Sequence, residues 1–150
     1  VSRIQLALNV SDLDSAIAFY SKLFGAVPAK VRPGYANFAV ADPPLKLVLF
    51  QGQGQPGTLN HLGVEVGSTE DVAAAHSRLA AGGLATAAED EVTCCYAVQD
   101  KVWVDGPDSE PWEIYTVLAD AEMPAAQLQS SDPGSCGPGA CCDAGAEAPA

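Results

Sequence analysis

Residues 61–66 read HLGVEV, and residues 5–10 read QLALNV. Both alternate in the period-two manner of a strand with one buried face. Each runs into a helix-start signal and an amphipathic stretch: SDLDSAIAFYSKLFG at 11–25, and STEDVAAAHSRLAAGG at 68–83. In the first, Ser11 or Asp12 caps the helix and Gly25 closes it, while Leu13, Ile17, Tyr20 and Phe24 fall on one face. The two copies are offset by 56 residues, so that Gln5 falls on His61, Val10 on Val66 and Lys22 on Arg78. An internal repeat of this size says that one supersecondary unit has been used twice.

The rest of each unit follows from its turns. YANFAV (35–40) and LKLVLF (45–50) are strands parted by the turn ADPP, and QGQGQPGT (51–58) links the halves. CCYAVQDKVWV (94–104) and PWEIYTV (111–117) supply strands to the second half, with DGPDSEP as the turn between them. The expected fold is α+β: two βαβββ modules, 1–52 and 58–119, whose strands curve into one half-open barrel. From 120 to 150 the chain has no Lys or Arg and is rich in Ala, Gly, Pro and Ser. A segment of that composition buries little, so a flexible tail is expected.

Composition narrows the function. The 150 residues include 19 acidic and 7 basic ones, for a net charge of −12. That surface repels phosphate backbones and anionic lipid, which argues against nucleic acid and membrane as partners. No apolar run approaches the ~20 residues of a membrane span. The opening VSRIQLALNV enters a strand directly, without the basic end and apolar stretch of a signal peptide, and a cytoplasmic location is expected. Five cysteines in a reducing compartment read as ligands or nucleophiles before disulfides.

In a barrel of paired modules the inward positions of equivalent strands meet in one cup. Gln5 and His61 occupy the same place in the first strands, and Glu113 lies in the last strand of module two. Imidazole nitrogen and carboxylate oxygen bind Fe(II), Mn(II), Ni(II) or Zn(II), and the Gln5 amide oxygen adds a third, neutral donor. Aligning Pro44 with Pro111 sets Lys46 against Glu113, so module one offers no fourth carboxylate. Three ligands with open positions are the catalytic kind of metal site. Taken singly, each residue has an ordinary account: a strand-end amide, a core histidine, a solvent-facing glutamate. The repeat favours the common site. His76, mid-helix at the position of Tyr20, reads as packing or surface.

With these residues in place the chain resembles the vicinal oxygen chelate superfamily, which includes glyoxalase I, extradiol dioxygenases and bleomycin-resistance proteins. Within it, the stretches KVRPGYANFA, DPPLKLVLF, GTLNHLGVEV, TCCYAVQDKVWV and DGPDSEPWEIY are similar to the non-heme iron carbon–arsenic lyases. The resemblance covers nearly all of 1–120. It implies Fe(II) on Gln5, His61 and Glu113, and dioxygen-dependent cleavage of the carbon–arsenic bond of trivalent organoarsenicals, methylarsenite giving arsenite. The usual oxygen-activating triad has two histidines and one carboxylate; here glutamine stands for one histidine.

The resemblance also accounts for the adjacent Cys94 and Cys95, implied to bind the substrate. Neighbouring Cα atoms stand about 3.8 Å apart, whereas disulfides span roughly 4.4–6.8 Å. Trivalent arsenic is soft, prefers thiolate, and has bonds long enough to close the ring. Two thiols displace the two hydroxyls of methylarsenite as water and leave its methyl group free to face the iron. Side chains of neighbouring strand residues point to opposite faces, so residues 93–95 are expected in a loop or bulge. The plain alternative for the pair is a buried apolar doublet. Cys136, Cys141 and Cys142 either capture metalloid or serve nothing essential. Tyr35, Phe38, Tyr96 and Trp103 are the aromatics available to wall the cup. A homodimer with exchanged modules is compatible with the same pattern. Two other functions fit parts of the sequence: a non-catalytic thiol-based binding protein for cadmium or arsenite, and a metal-free drug-sequestering dimer, which leaves the cysteine pair unexplained.

Overall fold

The computed structural model describes residues 2–94 and 97–120, Cys94 by its backbone alone. The expectations for Cys95, Tyr96 and the tail with Cys136, Cys141 and Cys142 lie outside these residues, and so does that for the Cys94 side chain.

Each half has the expected order. The first is β1 (Arg3–Val10), α1 (Leu13–Phe24), β2 (Lys30–Arg32), β3 (Tyr35–Val40) and β4 (Leu45–Gln51). The second is β5 (Leu59–Glu65), α2 (Thr69–Ala81), β6 (Ala87–Cys94), β7 (Ala97–Asp105) and β8 (Pro111–Asp120). All eight strands form one curled sheet in the order β2-β3-β4-β1-β5-β8-β7-β6. The halves meet at the antiparallel seam of β1 and β5; on either side of it, β1 runs parallel to β4 and β5 parallel to β8. A parallel pair needs a crossover, and the helix in each half belongs to it.

The helices begin and end where their caps are. Asp12 accepts a hydrogen bond from the Ser15 amide at 3.1 Å, and Ser68 one from the Asp71 amide at 3.1 Å. Gly25 stops α1 in the left-handed conformation at φ 60°, open to glycine at little cost. The amphipathic face of α1 packs Leu13, Ile17, Tyr20 and Phe24 onto Phe38, Leu45, Leu47 and Leu49. On the other half Val72 and Ala75 of α2 pack on Val102 and Ile114.

Strand alternation then decides which side chains face away from the helices. Leu6, Leu8 and Val10 pack under α1, and Val64 and Val66 under α2. Gln5, Ala7 and Asn9, with His61, Gly63 and Glu65, therefore share the opposite, concave face. Phe38 belongs to the α1 core and does not wall the cup, whereas Trp103 stacks edge-on to His61 at 5.6 Å between ring centres. Strand β6 was counted in the module but not placed in the sequence. Its AAEDEV is acidic and mostly exposed, with no alternation to read. A shift in its pairing between Glu89 and Val92 places Glu91 at φ 51°. Its last pairs are Thr93 with Val98 and Cys94 with Ala97, so residues 93 and 94 lie in a strand and not in the loop or bulge expected for 93–95. Among the described residues no helix is long and apolar enough to cross a membrane.

Candidate metal centre

The seam brings together the three residues singled out in the sequence. Gln5 comes from β1, His61 from β5 and Glu113 from β8, and all three are buried. Gln5 Nε2 lies 3.0 Å from His61 Nε2 and 2.7 Å from Glu113 Oε1. His61 Nε2 stands 3.4 Å from the same Glu113 oxygen. Ligand atoms about 2.1 Å from one ion and roughly at right angles to each other stand about 3 Å apart, so three side-chain ends at this spacing fit a single first-row divalent ion once the Gln5 amide presents its oxygen. Room for the approach is made by Gly63, where a Cβ would lie 3.1 Å from both Gln5 Nε2 and Glu113 Cγ.

The histidine is aimed by a bulge. The β1–β5 ladder pairs Ala7 with His61 and then Leu8 with Leu59, leaving Asn60 as an extra residue. A bulge re-aims side chains that regular alternation would send to opposite faces. Asn60 Oδ1 thus accepts from His61 Nδ1 at 2.8 Å, and Asn60 Nδ2 donates to Asn9 Oδ1 at 3.0 Å. With its proton on Nδ1, the ring turns the Nε2 lone pair toward Gln5 and Glu113.

Glu113 is gripped at both oxygens. While Oε1 faces Gln5 and His61, Oε2 accepts from Lys101 Nζ at 2.8 Å, the lysine itself being buried. Burial would push the Glu113 carboxyl up, but the Lys101 ammonium and the His61 ring more than offset that and hold it well below the usual carboxylate range. A second layer lies behind Gln5. The Tyr115 hydroxyl is 2.5 Å from Gln5 Oε1 and 3.1 Å from Glu65 Oε2. Glu65 pairs with Arg3 at 2.9 Å and with Lys46 at 3.3 Å. Burial, then the carboxylates of Glu113 and Glu65, push the Tyr115 phenol well above its usual value, and it keeps its proton.

Lys46 is near the site, but not as the repeat suggested. Counted along the ladders, Ala7 pairs with Val48 and its counterpart Gly63 pairs with Glu113. The residue of β4 that matches Glu113 is therefore Val48, because the last strands are displaced by two within the repeat. Neither residue is a carboxylate, so the absence of a fourth acidic ligand from this position stands. Lys101, Tyr115, Glu65 and Asn60 were missed. For Lys101 a signal existed: KVWV places Lys101 on the same face as Trp103, whose ring it also covers at 5.4 Å. His76 is half-buried on α2. A cleft of about 290 Å³ opens beside Lys46 and Glu65, lined also by Tyr35 and Asn37, and reaches Ala97, two residues past Cys95.

The profile of the glyoxalase/bleomycin resistance protein/dioxygenase superfamily matches residues 3–114. The chain belongs to this superfamily. Among its relatives, the trivalent organoarsenical cleaving enzyme of Thermomonospora curvata is 58% identical over 91% of this chain and 88% of its own. The cadmium-induced protein CadI of Mycobacterium tuberculosis is 59% identical over 95% of this chain and 94% of its own. Among solved structures, the Mn(II)-bound glyoxalase of Novosphingobium aromaticivorans superposes with a TM-score of 0.56 at 19% identity, covering 85% of this chain and 44% of that one. That likeness is one of fold: a curled mixed sheet with two helices, as the repeat had led us to expect.

Proposed function

We propose that this enzyme cleaves the carbon–arsenic bond of trivalent organoarsenicals such as methylarsenite, releasing arsenite, with Fe(II) held by Gln5, His61 and Glu113. The observation that carries the reading is the convergence of these three buried side chains, at 2.7, 3.0 and 3.4 Å, in a chain that is 58% identical, over 91% of its length, to an organoarsenical cleaving enzyme. When bound there, Fe(II) supplies the activation of dioxygen for oxidative attack on the carbon–arsenic bond.

The protein's own groups do the rest. Cys94 and Cys95 exchange their thiols for the two arsenic hydroxyls, release two waters and fix the metalloid at two points. The carbon then has one direction left to face. His61 and Glu113 keep fixed lone pairs on the cup, one through Asn60 and the other through Lys101. Trp103 and Phe50, at 5.6 and 6.2 Å from the His61 ring, wall it against water.

The test is anaerobic loading with Fe(II), addition of methylarsenite, then admission of air with arsenite measured. Arsenite must appear only with both iron and dioxygen. Undiminished release under strict anaerobiosis overturns the oxidative reaction, and arsenical binding without any release turns the protein into a thiol-based sequestering factor.

A further inference from the structure

Gln5 is the one proposed ligand whose end is chemically two-faced. As the side chains stand, its NH2 group points at His61 Nε2 and Glu113 Oε1, while Oε1 points at the Tyr115 hydroxyl. A cation needs the opposite: an amide oxygen toward His61 and Glu113, since NH2 has only donors to offer.

The proton count around Tyr115 bears on which way the amide turns. With Oε1 outward, the hydroxyl has one proton and two acceptors, Gln5 Oε1 at 2.5 Å and Glu65 Oε2 at 3.1 Å. With the amide reversed, Nε2 donates to the Tyr115 oxygen, and the Tyr115 proton goes to the Glu65 carboxylate. Every contact then has its proton, and the bond to Glu65 is charge-assisted. The reversal also sets three acceptors, Gln5 Oε1, His61 Nε2 and Glu113 Oε1, against one another about 3 Å apart. A cation between them compensates that. The outer hydrogen bonds favour the reversed amide, and the inner repulsion forbids it until an ion arrives.

We infer that Tyr115, backed by Glu65, is a positioning residue that turns the Gln5 amide over and holds its oxygen on the metal. The inference rests on the proposed metal site. Glu65 is kept in place for this by Arg3 and Lys46. Outer-shell partners of metal ligands commonly contribute 10- to 100-fold in metal affinity.

Mn(II) titration calorimetry of the purified full chain is the test. Wild type binds one ion, Gln5→Ala binds more weakly, and Tyr115→Phe loses about 10- to 100-fold in affinity. A carboxylate presents an oxygen whichever way it turns, so Gln5→Glu has no need of the hydroxyl. Gln5→Glu and the double variant Gln5→Glu/Tyr115→Phe therefore bind Mn(II) equally. If Tyr115→Phe binds like wild type while Gln5→Ala is weakened, the relay is wrong and the metal site stands. Gln5→Ala binding like wild type overturns Gln5 as a ligand, and this inference with it. A loss from Tyr115→Phe that persists beside Gln5→Glu marks general damage to packing and also refutes the relay. If Tyr115→Phe does not fold, Glu65→Gln, which keeps the shape and removes the charge, carries the same comparison with an expected loss of about tenfold.

Discussion

Replacing Lys101 by methionine takes one partner from a buried ion pair and leaves the other in place. Lys101 Nζ sits 2.8 Å from Glu113 Oε2, with side chains 1% and 4% exposed. Methionine fills about the same volume, so the change is one of charge. Breaking a buried pair from one side costs about 3–5 kcal/mol, because the surviving charge lies uncompensated in a poor dielectric. For an ordered domain of this size, 1 kcal/mol moves the melting temperature by about 3–4 °C, so the metal-free variant should melt roughly 10–20 °C below wild type. Metal affinity moves the other way. A protonated lysine a few ångströms from a divalent ion repels it by several kcal/mol at an effective dielectric constant of about 20, and its removal should tighten Mn(II) binding at least tenfold. Occupancy at a hundred times the dissociation constant returns about 2.7 kcal/mol, most of what was lost. The assay is thermal unfolding with and without Mn(II), at one protein concentration and at pH 7. The expected result is a lower melting temperature without metal and a larger upward shift with it. A variant that melts like wild type and binds Mn(II) no more tightly would refute the reasoning, for then Lys101 neither stabilises the Glu113 charge nor opposes the ion.

Gly63→Ala adds a Cβ 3.1 Å from Gln5 Nε2 and from Glu113 Cγ; overpacking here should cost about 1–3 kcal/mol of stability and spread the ligands, with weaker Mn(II) binding in the same titration. Acid titration of the metal-free protein tests Glu113. Its carboxyl is held below its ordinary value near 4.5, so its contribution is full above that pH and fades only as pH falls toward the folded value. Urea midpoints should drop on acidification in wild type and less so in Glu113→Gln; equal drops would deny the site its share. Cys94→Ser and Cys95→Ser should each lower arsenite release about 100-fold or more while leaving Mn(II) binding intact, because one-point attachment no longer aims the carbon. A chain ending at Glu122, which lacks Cys136, Cys141 and Cys142, should keep its rate at saturating substrate. Active cysteine variants beside an inactive truncation would move the substrate thiols to the tail.

What could be read from the sequence was whatever local rules decide. The cap at Asp12, one of the two residues offered for it, and the stop at Gly25 are chemistry of a few adjacent residues, and they lie where expected. So was the meeting of Gln5, His61 and Glu113, since a repeated module with period-two strands fixes which residues share a face. What escaped depends on partners distant in the chain. The alternation of KVWV puts Lys101 on the face of Trp103, but its partner is known only once β8 lies beside it with Glu113 on the same face. Phe38 alternates correctly, but which side of β3 meets a helix is settled by the packing of α1. The bulge at Asn60 leaves no mark in TLNHLG, because an extra residue is defined only against the partner strand. Strand β6 has neither β-branched residues in sufficient number nor alternation; its pairing to β7 makes it a strand.

The contacts that build the centre are far apart along the chain: 56 residues from Gln5 to His61, and 108 from Gln5 to Glu113. On a ribosome adding about 5–20 residues per second, the first of these side chains waits roughly 5–20 s for the last. Through that interval Gln5 has no carboxylate beside it, and the β1–β5 seam, once formed, holds an amide and an imidazole alone. Two neutral donors hold iron poorly. If the proposed site is right, the chain meets its metal after synthesis of the barrel, with both modules already paired. On the proposed reaction, a nascent or truncated product that stops short of β8 would keep Cys94 and Cys95 but lack the carboxylate of the proposed metal site, and is expected to bind an arsenical without cleaving it.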